Sequence, residues 1–239
     1  MCIRDSSDAD TQSRFRRDWP VLQSLLHPQL PRFGELFETQ GCVWAVRDWQ
    51  DGSGFDQILS QRRERQLVFG PGEVLLLLRQ ILPVLAVLHG RGLVHGDVNP
   101  RNLLRRHSDG MPVLLDFGLV QADGEAPLPG ATPGYAPRAQ GRQETCAAWM
   151  DLHGLGVTAL VLLTGQPPEA LVSADASDWP WPAALDLDPA FRSGLERLLT
   201  EDPQRRFDAA THVLQALEAV PMPDSTCLLY TSPSPRDLS

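Results

Sequence analysis

Apolar and polar residues follow one another along this chain in blocks of changing period, and the blocks predict the elements. Residues 13–26 put Phe15, Val21, Leu22 and Leu25 on one helical face. Pro20 lies within that stretch. A proline has no N–H to donate and its ring clashes with the carbonyl four residues back, so it suits a first turn, with Asp18 as N-cap. Residues 31–38 and 42–49 read as two strands joined by Thr39-Gln40-Gly41. Cys42-Val43-Trp44-Ala45-Val46 is apolar without alternation, as expected of a central strand. Pro71 opens the strongest helix, with Glu73 in its first turn and Val74, Leu77, Leu78, Ile81, Leu82, Leu85 and Leu88 in one stripe. Pro83 predicts a kink there, and Gly90 and Gly92 an end. Residues 103–106 and 113–115 flank Asp109-Gly110, a hairpin signal. From Asp151 to Leu163 the pattern is apolar all round, which reads as a buried helix stopped by Gly165 and Pro167-Pro168. After a polar loop at 173–181, residues 189–200 (Phe191, Leu195, Leu198, Leu199) and 208–219 (Ala209, Val213, Leu214, Leu217) form two amphipathic helices. No internal repeat appears.

Composition narrows the class. A chain of 239 residues makes one domain or two lobes around a cleft, and 42% hydrophobic content supplies a core. A net charge of −9 argues against non-specific nucleic-acid binding. The longest apolar runs, 74–88 and 155–163, are interrupted by Arg79 and Gln80 or too short, so no membrane span is expected. Cys42 and Cys146 lack metal-ligand spacing and read as reduced thiols of a cytoplasmic protein. There is no lysine; all 21 basic residues are arginine. The ends read as foreign. Met1 to Ser6 and Cys227 to Ser232 are encoded by one DNA word and its reverse complement, as for a sequencing adapter. The expected organisation is therefore an artefact at 1–6, natural sequence from Ser7 to about Thr226, and a linker remnant with adapter-derived tail at 221–239.

The chemistry sits in His95-Gly96-Asp97-Val98-Asn99-Pro100-Arg101-Asn102 and, after the hairpin, Asp116-Phe117-Gly118. An aspartate five residues before an asparagine can face an acceptor hydroxyl while the amide faces a metal; a second aspartate completes an oxygen site for a hard cation. Taken alone, this pattern also describes a simple turn before a proline. The two motifs together resemble the protein kinase superfamily, with its H-R-D-x-x-x-x-N catalytic loop and D-F-G metal motif. Asp151 to Gly165 is similar to bacterial, especially cyanobacterial, serine/threonine kinases.

The resemblance implies an α+β kinase-like fold: a partial, β-rich N-lobe at 7–50, lacking its first strands, and a mainly helical C-lobe at 51–220. It implies transfer of the ATP γ-phosphoryl group to serine or threonine hydroxyls of a protein, with ATP and Mg2+ as cofactors. Asp97 becomes the catalytic carboxylate, Asn102 and Asp116 the metal ligands, and Asp48, Trp49 and Gln50 the hinge that holds adenine. Thr132, in Thr132-Pro133-Gly134-Tyr135-Ala136-Pro137, would touch Asp97. Asp151 would accept hydrogen bonds from the catalytic-loop backbone, and His95 would bond backbone near the D-F-G. Asp18 takes the place of the glutamate that pairs with a strand lysine.

Several departures bear on activity. Asn99 stands where kinases carry the catalytic-loop lysine, and the Gly-rich loop and strand lysine fall outside the chain. Gly96 replaces an arginine that reads a phosphorylated segment, and residues 119–131 contain no Ser, Thr or Tyr; together these predict that phosphorylation there is not the switch. Ala139 replaces the acid that pairs with the arginine at Arg206, so Arg206 is expected to be solvated or to meet a substitute such as Glu144. The fragment itself is expected to be inactive. Two alternatives stay open: a pseudokinase that binds nucleotide, and a small-molecule kinase of the aminoglycoside or choline type, which also uses H-G-D-x-x-x-x-N. The protein-substrate loop at Thr132 weighs against the second.

Overall fold

The computed structural model describes residues 9–39, 42–137, 145–172, 179 and 185–222. Both chain ends, Gln40 and Gly41, most of the 173–181 loop, Ala139 and Glu144 lie outside that set.

The chain opens with α1 (Ala9–Gln23) and an antiparallel pair, β1 (Phe33–Thr39) and β2 (Cys42–Arg47). The helix begins earlier than its apolar face announces and runs through Pro20. Asp18 is therefore not an N-cap; it lies inside the helix, 5% exposed. Pro20 is tolerated because both it and Arg16, whose carbonyl it leaves unbonded, are on the solvent side. Within the described residues β2 is paired along one edge. Its partner among the described residues is β1, with Phe33 opposite Arg47 and Phe37 opposite Trp44. Val43 and Ala45 are buried while Val46 is 45% exposed, so the run has one open apolar face, on which Phe37 and Trp44 stack.

β3 (Gly52–Gly54) leads into α2 (Phe55–Arg63), a helix the apolar pattern did not announce. Its N-cap is Gly54, which offers no side-chain oxygen; instead the Gln57 side chain accepts from the Gly54 N–H. α3 (Pro71–His89) carries the predicted stripe into the core and continues unbroken through Pro83. At 19 residues and mean hydropathy 1.7 it is long and apolar enough to cross a membrane, despite Arg79 and Gln80. That corrects the expectation from its interrupted run. Its apolarity is used here in packing: it rests on α4 (Ala148–Thr164), α7 (Ala210–Glu218) and β6 (Pro112–Leu114). Each buried leucine or isoleucine there contributes about 1.5–3 kcal/mol relative to exposure.

β4 (Leu93–Val94) pairs with β7 (Gln121–Ala122), and β5 (Leu103–Arg106) lies between β3 and β6 in a second small sheet. Gly110 takes a φ of +72° in the β5–β6 turn, and Asp109 is held there by Arg106 and by the Met111 N–H. α4 is buried on every side, as its pattern required, and ends at Gly165 in the left-handed region. A short α5 (Pro168–Leu171) and α6 (Pro189–Leu199), capped by Asp188, complete the helical part. One contiguous core runs from Phe15 and Trp19 of α1 through α3 and α4 to Leu217 of α7.

Candidate active site

The two small sheets place the functional loops. The segment 95–102 spans β4 to β5, and Asp116 leaves β6 for a single 3₁₀ turn (Phe117–Leu119) before β7. Because β4 pairs with β7 and β5 with β6, both loops emerge on the same side. The Leu115 N–H donates to the Asn102 carbonyl at 2.8 Å, so Asp116 follows directly beside Asn102. The three oxygen-bearing residues picked from spacing are thereby brought to one place.

Asp97 is the most constrained of them. Its Oδ1 accepts from the Thr132 N–H at 2.8 Å; its Oδ2 accepts from the Thr132 hydroxyl at 3.0 Å and the Asn102 amide at 2.9 Å. A carboxylate offers about four acceptor sites; with three filled, a site on Oδ1 stays open to an incoming hydroxyl. Asn102 spends its amide hydrogens on Asp97, on the carboxylate and on the main-chain carbonyl at 2.9 Å. That turns its Oδ1 outward as the free donor oxygen.

Asp116 has φ +60° and ψ 78°, a left-handed conformation that costs energy in a residue with a side chain. Its Oδ1 accepts from the Gly118 N–H at 3.3 Å. Among the described residues there is no cluster of three or more His, Cys, Asp or Glu side chains able to hold a metal alone. Asn102 Oδ1 and the second oxygen of Asp116 suit a cation that keeps waters and takes its other ligands from phosphate, which is the habit of Mg2+.

Asn99 is turned inward. It is 1% exposed; its amide donates to the Asp97 carbonyl at 3.1 Å and the Thr132 hydroxyl at 3.0 Å, and its Oδ1 accepts from the Arg101 N–H at 2.9 Å. It positions Asp97 and Thr132 without offering a group to substrate. Asp48, Trp49 and Gln50 form the irregular link between β2 and β3. The Asp48 N–H is committed to the Arg32 carbonyl at 3.0 Å, whereas the Trp49 ring is 89% exposed. The peptide groups of Trp49 and Gln50 make no hydrogen bond among the described residues.

The loop's support is buried. Asp151, 1% exposed, accepts from the His95 and Gly96 N–H groups at 2.8 and 2.9 Å and contacts His89 Nε2 at 2.9 Å. Burial pushes its carboxyl up; the hydrogen bond and charge of His89 and the bond from the His95 N–H outweigh that and leave it below the usual range. His95 Nε2 donates to the Leu115 carbonyl at 2.8 Å while its Nδ1 accepts from the Asp97 N–H, two contacts that agree on one tautomer. The Phe117 ring is wedged between Phe33 and His95, with centroids 4.8 and 4.9 Å away. Gly96 is required by geometry: its φ is +81°, and a Cβ would meet the Leu119 carbonyl at 2.8 Å. Gly154 lets α4 approach the loop, since a Cβ there would lie 2.7 Å from the Val98 carbonyl.

Sequence reasoning missed the other side of the cleft. Asp18 is paired with its neighbour Arg17, which also reaches Glu125 of the segment after β7. Arg47 is half-buried, shares a sheet face with Phe33, and is depressed by burial and partly restored by the charge of Asp116. Nothing in local spacing marks these residues as partners. Arg206 meets a substitute acid, Asp208, rather than solvent alone: its side chain is 16% exposed and pairs with Asp208 at 3.8 Å, its guanidinium lies 3.9 Å from the Trp149 ring centroid, and it bonds the Glu201 carbonyl; Glu144 lies outside the described residues.

Known proteins converge on the same assignment. The family model "Protein kinase domain" matches residues 2–217. The serine/threonine-protein kinase PknA of Nostoc sp. is 31% identical over 221 residues, which covers 87% of this chain and 38% of that protein. Serine/threonine-protein kinase C of Synechocystis sp. is 33% identical over 223 residues, covering 87% and 40%. The chain thus spans about two fifths of the length of these relatives. Among solved structures, the kinase domain of Mycobacterium tuberculosis PknI superposes with a TM-score of 0.67 at 26% identity, over 89% of this chain and 80% of that one. A catalytic-type loop, a D-F-G turn and a buried anchoring aspartate, joined on an α+β scaffold of this shape, place the chain in the protein kinase domain family, beside bacterial serine/threonine kinases.

Proposed function

We propose that this domain transfers the γ-phosphoryl group of ATP to a serine or threonine hydroxyl of a protein. The observation that carries the reading is the threefold hydrogen bonding of Asp97, which fixes its carboxylate and leaves one acceptor site open. Asp97 orients the acceptor hydroxyl and takes its proton as the new P–O bond forms. Thr132 holds that carboxylate from the segment expected to carry the substrate. Asn102 Oδ1 and Asp116 would hold Mg2+, which would neutralise phosphate charge. The free peptide groups of Trp49 and Gln50 suit the adenine edge. In this reading residues 7–50 contribute one wall of the cleft and 51–220 its floor, and the protein works in the cytoplasm.

One observation favours a pseudokinase instead. Asn99 is buried and hydrogen-bonded, so that position supplies no positive charge to a phosphoryl group in flight. Two measurements separate the readings. Magnesium-dependent binding of a fluorescent ATP analogue should be lost in Asp116→Asn. Transfer of labelled phosphate to a Ser/Thr peptide should fall about 10²–10⁴-fold in Asp97→Asn, the range of general-base contributions. Measured on the parent protein, since the fragment itself is expected to be inactive, binding without transfer establishes the pseudokinase; absence of both removes the nucleotide site.

A further inference from the structure

A second concavity lies away from the cleft. It is a groove of about 560 Å³ on the helical part, between the end of α2, one face of α3 and the β5–β6 hairpin. Apolar side chains that the core does not need collect there. Leu67 is 57% exposed and Val68 40%, on the connector from α2 to α3. Beside them Leu76 is half-buried, outside the stripe that α3 turns to the core. The helix is more apolar than its own packing demands, and part of the surplus, Leu76, faces this groove.

The polar rim is unevenly charged. Arg62 and Glu73 neutralise each other through two contacts of 2.7 Å, and Arg62 also lies over the Phe69 ring. Arg65 and Arg105 are exposed, and neither guanidinium makes a hydrogen bond or ion pair among the described residues. Arg62, Arg65 and Arg105 face two acids, Glu64 and Glu73, so the groove is net positive on a chain whose net charge is −9. Gln61 lines the same groove and presents an amide able to bond peptide groups, which a hydrocarbon chain lacks, while Gln80 beside it donates from Nε2 to Met111 Sδ at 3.5 Å.

The geometry points to a docking groove, separate from the reaction centre, for a polypeptide segment of another protein that carries bulky aliphatic side chains beside carboxylates. The aliphatic side chains enter over Leu67, Val68 and Leu76; the carboxylates meet Arg65 and Arg105. Binding here is independent of nucleotide chemistry, so it stands or falls apart from the proposed phosphoryl transfer.

The test uses the whole chain and fluorescence anisotropy with three sets of labelled twelve-residue peptides. Each set contains a Leu-Leu pair, flanked by Glu and Asp, by Ser and Asn, or by Lys and Arg. The acidic set should bind at least ten-fold tighter than the basic set, with affinity falling as salt rises. Arg65→Glu combined with Arg105→Glu should reverse the order, and both positions are exposed, so the fold should persist. Leu76→Gln should weaken all three sets together. Absence of binding by every set, no dependence on charge, or an order unmoved by the double substitution would overturn the proposal. Tight binding of dodecanoate that displaces the peptides would overturn it in favour of a lipid site.

Discussion

The floor of the cleft and its α1 edge are built from opposite materials. On the floor, Asp97, Asn99, Asn102 and Asp151 are short side chains, each in two or more hydrogen bonds, and all but Asp97 are nearly inaccessible. At the edge, Arg17 reaches across solvent to Asp18 and Glu125 with a side chain that is 49% exposed. Short buried groups lose little rotamer freedom and keep their full electrostatic strength; long exposed ones lose more and are screened. The floor is therefore expected to be stiff and salt-insensitive, and the edge adjustable.

The most severe way to probe that contrast is Asp151→Ala. It leaves the His95 and Gly96 N–H groups and His89 without their acceptor, at a cost of about 3–5 kcal/mol. Chemical denaturation should show it, with no relief at high salt. The same carboxyl gives the floor a pH signature. Its pKa is lowered in the folded state, so its contribution is present above the ordinary carboxylate range and is lost as pH falls through the lowered value. Asp151→Asn should flatten the acid limb of the stability profile, and an unchanged limb would show that another group governs it.

Asn99→Ala comes next. It removes the amide bridge between the Asp97 main-chain carbonyl and the Thr132 hydroxyl, while the two direct Thr132 bonds to the Asp97 carboxylate remain and Asp151 continues to hold the loop. The expected loss is about 1–3 kcal/mol, less than for Asp151 because one anchor remains. If the domain transfers phosphate, kcat should fall more than KM rises, since Asn99 positions the reacting carboxylate without touching nucleotide. A pure KM effect would place Asn99 in substrate binding.

The same contrast explains what could be read without coordinates. Asp97, Asn102 and Asp116 were legible because two local spacings and a hairpin fix their convergence. Thr132 and Asp151 followed once those motifs set the register. His89 was not legible, because its partner Asp151 is 62 residues away and nothing in a helix's last turn names a distant acceptor. Gly96 read as a lost arginine; the structure shows a backbone with φ +81° that leaves no room for a side chain. α2 was missed because Asp51-Gly52-Ser53-Gly54 reads as a turn and its cap comes from Gln57, inside the helix. Asp18 was misread as a cap because Pro20 was assigned to a first turn, a rule that solvent exposure of the proline relaxes.

The smallest expected effect tests the edge. Glu125 lies in a segment with no hydroxyl to phosphorylate, and its carboxylate ties that segment to α1 through Arg17 and, at 3.8 Å, Arg14. The bond from Arg17 holds Glu125 below its usual range despite slight desolvation. Its contribution is thus present above the ordinary glutamate pKa and fades as pH drops through the lowered one. Glu125→Gln should cost only about 0.3–1 kcal/mol, because the pair is exposed and screened. The decisive comparison is with salt. At 0.5 M NaCl the Debye length shrinks to about 4 Å, so the difference between wild type and Glu125→Gln should nearly vanish, while that for Asp151→Ala persists. A Glu125 effect as large as that of Asp151, or one that survives salt, would mean the edge is as rigid as the floor. The segment would then be held by packing from Arg14, Arg17 and the Cys146 backbone pairing, with the carboxylate merely accompanying it.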